Sequence, residues 1–132
     1  MKSVLELGTR YVVPAVKREV VLGLMRRGFT GIEVAKLLGI SPSLVSRYMN
    51  GERGAQIDLR RYGDVMGYIE RLVDGIAGGQ MDQYAIAREI DRMSMYFMAK
   101  KYLCSIHLRL EPYIDIARCS NCPELFRETI ER

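Results

Sequence analysis

The most reactive side chains of the chain are concentrated towards its C-terminal end. All three cysteines and the only histidine lie close together, as Cys104, His107, Cys119 and Cys122. Two residues separate the members of each pair, and eleven residues separate the Cys-His pair from the Cys-Cys pair. Three thiolates and one imidazole arranged in two such pairs are a ligand set that tetrahedral zinc accepts. We therefore predict a closed, structural zinc site formed by these four residues.

Two other interpretations of this segment stay open. An iron–sulfur cluster accepts mixed cysteine and histidine ligands and would make the segment sensitive to redox state or iron. Without any metal, Cys104 and His107 would be core residues of a helix, and Cys119 and Cys122 would be buried thiols or a reducible pair. The segment 104–132 is too short to bury much apolar surface, so metal binding would supply the stability it otherwise lacks.

A second group of residues, between positions 28 and 51, has the pattern of two short helices joined by a tight turn. Ala35 is small where the helices must approach closely, and Gly39 follows where the chain must turn with a positive φ. A serine–proline pair at 41–42 is typical of a helix start, and an asparagine–glycine pair at 50–51 of a helix end. This pattern predicts a helix-turn-helix unit that reads double-stranded DNA; the alternative is an αα-hairpin without a nucleic-acid partner.

The outward face of the second helix carries the side chains expected to meet DNA. We expect Arg47 to read a base, because a guanidinium group pairs with two acceptors of guanine in the major groove. Thr30 precedes the first helix, where its hydroxyl and the free N–H groups of that helix can hold a phosphate. The predicted DNA-binding residues are Thr30, Lys36, Ser41, Pro42, Ser43, Ser46, Arg47, Asn50 and Arg53, with Arg26 and Arg27 as further backbone contacts.

The distribution of charge favours the same partner. Residues 1–61 carry 11 Lys and Arg against 5 Asp and Glu, whereas residues 62–132 carry 9 against 11. The positive charge therefore lies on the half of the chain that contains the helix-turn-helix pattern, as expected of a protein that binds the phosphate backbone.

Composition excludes several other classes of protein. The chain is 48% hydrophobic and 27% charged, which is enough apolar material for a packed core. No apolar run is long enough for a membrane span or a secretory signal, and three cysteines do not make a disulfide framework, so we expect a cytoplasmic protein with no membrane partner. No glycine-rich phosphate loop and no nucleophile–base pair is evident by spacing, so we do not expect an enzyme.

Hydrophobic periodicity predicts an all-α fold: a helix-turn-helix bundle followed by two longer helices and a short Cys/His tail. We predict three parts, a DNA-binding domain at 1–56, a helical dimerisation region at 57–103 and a metal-binding tail at 104–132. Residues 1–12 are expected to form a short arm or strand. The predicted helices span about 14–27, 31–38, 42–50, a fourth capped by Asp58, 81–103, and a short last helix at 123–131.

The two longer helices each carry an apolar stripe that resembles a coiled-coil seam. Such a seam would make the protein a homodimer, as expected of a helix-turn-helix reader that contacts two half-sites. The alternative is that both stripes pack into the core of the chain itself. The stripes are Val65, Ile69, Leu72 and Ile76 in the first helix, and Ile86, Ile90, Met93 and Phe97 in the second.

The segment Gly39–Gly51 resembles the repressor-type helix-turn-helix family of phage repressors and their cellular relatives. The segment Val45–Gly54 is more similar still to a group of small archaeal predicted transcriptional regulators. In that group a proline-initiated helix precedes the motif, as Val13–Arg18 does here. That group also has a tail with paired cysteine and histidine elements like those of residues 104–122. The resemblance implies an archaeal regulator.

The same resemblance implies which side chains reach base edges in the major groove. In this chain those positions hold Pro42, Ser43, Arg47 and Asn50. Pro42 departs from the common pattern, in which a polar side chain often reads a base at that point, and it can at most contact a thymine methyl group.

The residues together predict a homodimeric, sequence-specific DNA-binding transcriptional regulator with a structural zinc site. A regulator that senses redox state or iron through an iron–sulfur cluster is one alternative. A protein-interaction adaptor of the transcription machinery is the other, although the basic first half of the chain argues against it.

Overall fold

Periodic apolar residues fold the chain into helices that pack on one another, and the computed structural model describes residues 1–128. Within that range there is no β-strand, and the predicted all-α fold, a helix-turn-helix bundle followed by two longer helices and a short Cys/His tail, is confirmed. The helices are α1 (Val4–Leu7), α2 (Val13–Arg26), α3 (Gly31–Leu38), α4 (Pro42–Met49), α5 (Gly63–Ala77), α6 (Gln83–Ala99), α7 (Cys104–Leu110) and α8 (Asn121–Leu125).

The N-terminal segment is helical, so the expectation of an arm or strand at residues 1–12 is wrong. A π-helical turn, Gly8–Val12, joins α1 directly to α2. This wider turn lies just before Pro14, which has no N–H group to continue the α-helical hydrogen-bond pattern. Leu7 and Val12 are buried and extend the apolar face of α2 backwards, which is why this segment packs on the core as a helix.

Helix α2 lies at the centre of the fold and contacts α3, α4, α5 and α6. Val16, Val20 and Leu24 on its inner face are completely buried. Burial of each such side chain stabilises the folded state by about 1.5–3 kcal/mol. The helix-turn-helix pattern and the two longer helices thus share one apolar core that is built around α2.

The two apolar stripes of α5 and α6 pack into this shared core. All eight stripe residues are buried, and α5 and α6 contact both α2 and each other. The alternative interpretation of the stripes is therefore correct, and they do not form a seam that is open to a second chain. The division into parts at residues 1–56, 57–103 and 104–132 stays a prediction.

Two predicted helix boundaries move in the middle of the chain. Asp58 caps a short 3₁₀ turn, Leu59–Arg61, by accepting a hydrogen bond from the Arg60 N–H at 3.1 Å, and α5 begins only at Gly63. The long helix predicted over 81–103 ends at Ala99, because Lys101 takes a positive φ of 64° that an α-helix does not allow.

The C-terminal helices differ from prediction as a result. Cys104 and His107, predicted in the tail at 104–132, lie on a separate helix, α7, that the sequence did not predict. Helix α8 begins at Asn121, two residues before the predicted start, and ends at Leu125. The predicted continuation to residue 131 extends outside the described residues. No helix of residues 1–128 is long and apolar enough to cross a membrane.

The loop that follows α4 lies directly against α2. Gly54 has a φ of +78°, and a Cβ atom at this position would lie 2.3 Å from the carbonyl oxygen of Pro14 and 2.9 Å from Cβ of Arg18. Both the backbone conformation and the close approach therefore require glycine. This contact fixes the loop after α4 on the central helix.

Gly54→Ala tests this contact. We expect a loss of about 2–5 kcal/mol in the free energy of unfolding, from the strained backbone together with the clash with Pro14. Gly79→Ala is the matched control, because Gly79 has a similar φ of +72° and no atom within 4 Å of its added Cβ. The control should lose only about 1–2 kcal/mol. Urea denaturation measures both values, and equal losses for the two variants would contradict close packing at Gly54.

Candidate functional site

Helix α3 begins at a complete capping box. Oγ1 of Thr30 accepts a hydrogen bond from the Glu33 N–H at 3.2 Å, and Oε1 of Glu33 accepts one from the Thr30 N–H at 2.9 Å. These bonds hold the pKa of Glu33 below its usual value, the bond from the Thr30 backbone having the largest effect. The start of α3 is thereby fixed in place, and Thr30 stays exposed at its N-terminal end.

The turn between α3 and α4 is fixed from both sides. Gly39 adopts the left-handed conformation with φ 68°, and the Ile40 N–H donates to the Ala35 carbonyl at 3.0 Å. From the start of α6, Nε2 of Gln83 donates to the carbonyl oxygen of Lys36 at 2.9 Å. No local pattern in the sequence indicates this contact, since 47 residues separate its partners.

Helix α4 is held at both ends. Oγ of Ser41 accepts a hydrogen bond from the Leu44 N–H at 3.1 Å and caps the N-terminus. At the other end, Nε of Arg18 donates to the carbonyl oxygen of Tyr48 at 3.0 Å. Val45 and Tyr48 anchor the middle, each with 1% of its surface exposed. Sequence reasoning missed Arg18, because its partner on another helix becomes visible only in the folded chain.

The remaining face of α4 is open to solvent, as predicted. Pro42, Ser43, Ser46 and Arg47 are all exposed, and so is Asn50, which ends the helix. Helix α4 therefore presents a continuous polar and cationic surface.

The apolar residues of the unit divide between core and surface. Val34, Ala35, Val45 and Tyr48 are buried. Leu38 is only partly buried, and Met49 has 42% of its surface exposed. Met49 lies at the last position of α4, where the chain leaves the core for the following loop.

The candidate phosphate-contacting residues lie on α2, on α3 and in the loop after α4. Lys36, Arg26 and Arg53 are exposed, and Arg53 borders a surface cavity of about 310 Å³ together with Arg10. Arg10 was not predicted as a contact. Arg27 is exposed as well, but its guanidinium forms an ion pair with Asp74 of α5, so part of its charge is neutralised within the chain.

Comparison with known proteins agrees with this geometry. Residues 24–59 match the family model described as Helix-turn-helix. No curated protein and no solved structure matches the chain significantly. The chain thus contains a helix-turn-helix domain, and this match supports a DNA-binding transcriptional regulator.

The predicted metal ligands lie on three elements. Cys104 begins α7, Cys119 lies in the loop before α8, and Cys122 lies within α8; all three thiols are free and partly buried. Burial, followed by the nearby Cys104 and Cys119, raises the pKa of Cys122 to about 11. The pKa of the Cys104 thiol is likewise above its usual value, mainly because the thiol is partly buried.

The histidine faces a different partner. His107 is buried, and its Nε2 lies 2.8 Å from Oε1 of Glu111, one helical turn further along. Glu111 also accepts hydrogen bonds from the Tyr113 hydroxyl and the Lys2 N–H, both at 2.6 Å. These contacts, the one from Tyr113 most strongly, lower the pKa of Glu111 to about 2. Sequence reasoning missed Glu111, although its spacing of four from His107 was a usable signal.

The arrangement of the side chains thus differs from a finished metal centre. In the part of the chain that the structure describes, no group of three or more His, Cys, Asp and Glu side chains is placed to hold a metal ion. The loop that carries Cys119 is nevertheless fixed, because Nζ of Lys101 donates to the carbonyl oxygens of Ile116 and Cys119.

The capping role of Ser41 gives a direct test of this site. Ser41→Ala removes the acceptor for the Leu44 N–H and should lower the free energy of unfolding by about 1 kcal/mol. Ser43→Ala is the control, because the structure gives the Ser43 side chain no hydrogen bond to residues 1–128; its effect should stay within about 0.5 kcal/mol. Thermal unfolding followed by circular dichroism measures both, and a Ser41→Ala protein as stable as the control would contradict the cap.

Proposed function

We propose that the protein is a sequence-specific transcriptional regulator that places α4 in the major groove of DNA. The observation that carries this proposal is the open polar face of α4 within a segment that matches the helix-turn-helix family. Ser41, Gly39 and Arg18 hold the helix at its start, at the preceding turn and at its end. A helix held in this way enters the groove as a rigid body, which favours readout of base edges.

Base recognition is assigned to Arg47, with Ser43, Ser46 and Asn50 beside it. The guanidinium of Arg47 is exposed and suits the two acceptors of guanine, whereas a serine hydroxyl or an asparagine amide can bond to base edges or to phosphate. Pro42 offers only an apolar contact, such as one to a thymine methyl group.

Phosphate contacts are assigned to the N-terminus of α3 and to the surrounding cations. The exposed Thr30 and the N–H groups at the start of α3 are a typical site for a phosphate oxygen. Lys36, Arg26 and Arg53 supply the positive charge around it, and Arg10, which borders the same cavity as Arg53, joins them. These contacts set the position of the protein on the duplex without reading its sequence.

We further propose that the protein binds as a homodimer, because helix-turn-helix readers commonly pair to contact two half-sites one helical turn apart. The contact between protomers cannot use the stripes of α5 and α6, which are buried within each chain. It therefore involves another exposed surface of the molecule.

Substitution of two arginines separates base readout from phosphate binding. Arg47→Ala should cost about 1–3 kcal/mol on the specific site and relax the preference for one base pair. Arg53→Ala, the matched control, should weaken binding to all sequences alike and reduce the slope of log affinity against log salt by about one.

Fluorescence anisotropy with selected DNA at several salt concentrations measures these effects. A uniform loss across sequences for Arg47→Ala would refute its role in base readout. DNA binding that does not depend on salt would refute the proposed function as a DNA-binding regulator. It would favour the alternative function as a protein-interaction adaptor.

We also propose that Cys104, His107, Cys119 and Cys122 bind one zinc ion. Three thiols and one imidazole are a donor set that suits a structural zinc site. Zinc would have to draw these side chains together, since they are not placed as a ligand group within residues 1–128. The carboxylate of Glu111 suits this role, because ligand histidines commonly give their second ring nitrogen to such a group. Nδ1 is then the ring nitrogen left for the metal. The ion would link α7 to the loop and helix that follow, and would add stability rather than a reaction.

Metal analysis of protein purified without oxygen tests this site. We expect about one zinc per chain and no visible absorption. Cys119→Ser should lose the metal and lower the melting temperature, whereas the neighbouring Ser120→Ala should retain it. Iron with sulfide and a brown colour would instead indicate an iron–sulfur cluster at these residues. Protein free of metal would refute both kinds of site.

A further inference from the structure

The cavity of about 310 Å³ that Arg10 and Arg53 border lies between the N-terminal segment and the loop after α4. Arg10, Tyr11 and Pro14 form one wall, and residues 51–56 of the loop form the other. The two walls are fixed to each other, because Gly54 lies directly against the carbonyl oxygen of Pro14. The cavity is therefore built by the packing of the fold itself.

Two arginines of this lining have no partner for their charge. Arg10 and Arg53 are exposed, and neither guanidinium group forms an ion pair or a hydrogen bond with any of residues 1–128. The guanidinium carbon of Arg10 lies 5.7 Å from the centre of the Tyr11 ring, which keeps this cation beside the cavity wall. Both groups therefore have free donors for an anion.

Other charges nearby do not neutralise these two arginines. Arg18 is engaged elsewhere, since its Nε donates to the carbonyl oxygen of Tyr48 at 3.0 Å and its Nη1 lies 3.9 Å from Oε1 of the buried Glu19. Glu52 is the one carboxylate of the lining, and among the described residues it pairs with neither arginine. Two positive charges thus face one negative charge, and the lining favours an anion.

The backbone of the loop adds neutral donors to this charge. The N–H groups of Gly51 and Glu52 donate to carbonyl oxygens at the end of α4. The next four N–H groups, at residues 53–56, have no acceptor in the part of the chain that the structure describes. Successive unpaired N–H groups around a left-handed residue, here Gly54, are a common anion site in proteins.

The size of the cavity and its apolar wall select the kind of anion. The volume is at the lower end of the range for small-molecule sites and leaves room for an organic body beside the anionic group. The half-buried Tyr11 and the buried Pro14 supply apolar surface for that body. A phosphate monoester has three strong acceptor oxygens, and a guanidinium group can bind phosphate through two parallel hydrogen bonds.

We propose that this cavity binds a small phosphate monoester. The phosphate group lies between Arg10 and Arg53, and the organic part packs against Tyr11. Because Arg53 cannot bind the ester and the DNA backbone at the same time, the ester competes with DNA. This competition rests on the proposed function, whereas the ester site itself does not.

Titration with phenyl phosphate at constant ionic strength, followed by NMR, tests the site without DNA. We expect saturable shifts of the Tyr11 ring signals and of the backbone amide signals of residues 53–56. Phenol, which has the same ring without the phosphate group, should bind at least about tenfold more weakly, because the bonds to the arginines are lost.

Three variants that each remove one charge locate the phosphate group. Arg10→Gln should weaken phenyl phosphate binding at least about fivefold, because one of the two charged donors is lost. Glu52→Gln should strengthen binding about two- to threefold, because it removes the carboxylate of the lining. Arg88→Gln, on α6 and outside the lining, is the control and should change binding less than about 1.5-fold. Circular dichroism checks that all three variants are folded.

Fluorescence anisotropy with DNA at the same ionic strength tests the competition. Phenyl phosphate at twice its dissociation constant should weaken DNA binding by the wild-type protein about threefold, and by the Arg10→Gln protein at most about 1.4-fold. A wild-type protein that does not bind DNA at all would refute the proposed function, while the NMR titration would still decide the ester site.

Four results would overturn the proposal. The first is the absence of saturable shifts in the wild-type protein. The second is equal affinity of that protein for phenol and phenyl phosphate, a comparison that does not depend on any variant. The third is a folded Arg10→Gln protein that binds the ester as tightly as the wild type. The fourth is an unchanged affinity for DNA when the ester is bound.

Discussion

Burial of α2 is the interaction on which the rest of this structure depends. Its inner face supplies completely buried residues, among them Val16, Val20 and Leu24, and α3, α4, α5 and α6 all pack on it. The polar edge of the same helix then makes specific contacts, through Arg18 to the end of α4 and through Pro14 to the loop at Gly54. A change in the position of α2 would therefore move the face of α4 that is proposed to read DNA.

The organisation of the helix-turn-helix domain follows from this arrangement. Short helices of eight residues are marginal on their own, so α3 and α4 depend on tertiary packing for their stability. Capping at Thr30 and Ser41, and the Gln83 contact from α6, remove the remaining freedom at the helix ends and the turn. The outer face of α4 does not pack against the core, so core packing does not restrict its residues and they can suit a ligand such as DNA.

The C-terminal segment is organised by polar contacts more than by burial. Glu111 joins α7 to the N-terminus of the chain, since it accepts from the Lys2 N–H and lies beside His107. Lys101 holds the loop that carries Cys119. These contacts fix the loop that carries Cys119 and give His107 a carboxylate partner.

Local patterns in the sequence were sufficient for the all-α fold, for the bounds of α3 and the start of α4, and for the exposed face of α4. Each of these depends on residues a few positions apart, such as the Ser41 cap and the turn at Gly39. Tertiary structure alone decided that residues 4–12 are helical, that the stripes of α5 and α6 face inward, and that Glu19 and Arg18 have their present surroundings. Those outcomes depend on which surfaces meet when distant segments pack, and periodicity identifies an apolar face without identifying its partner.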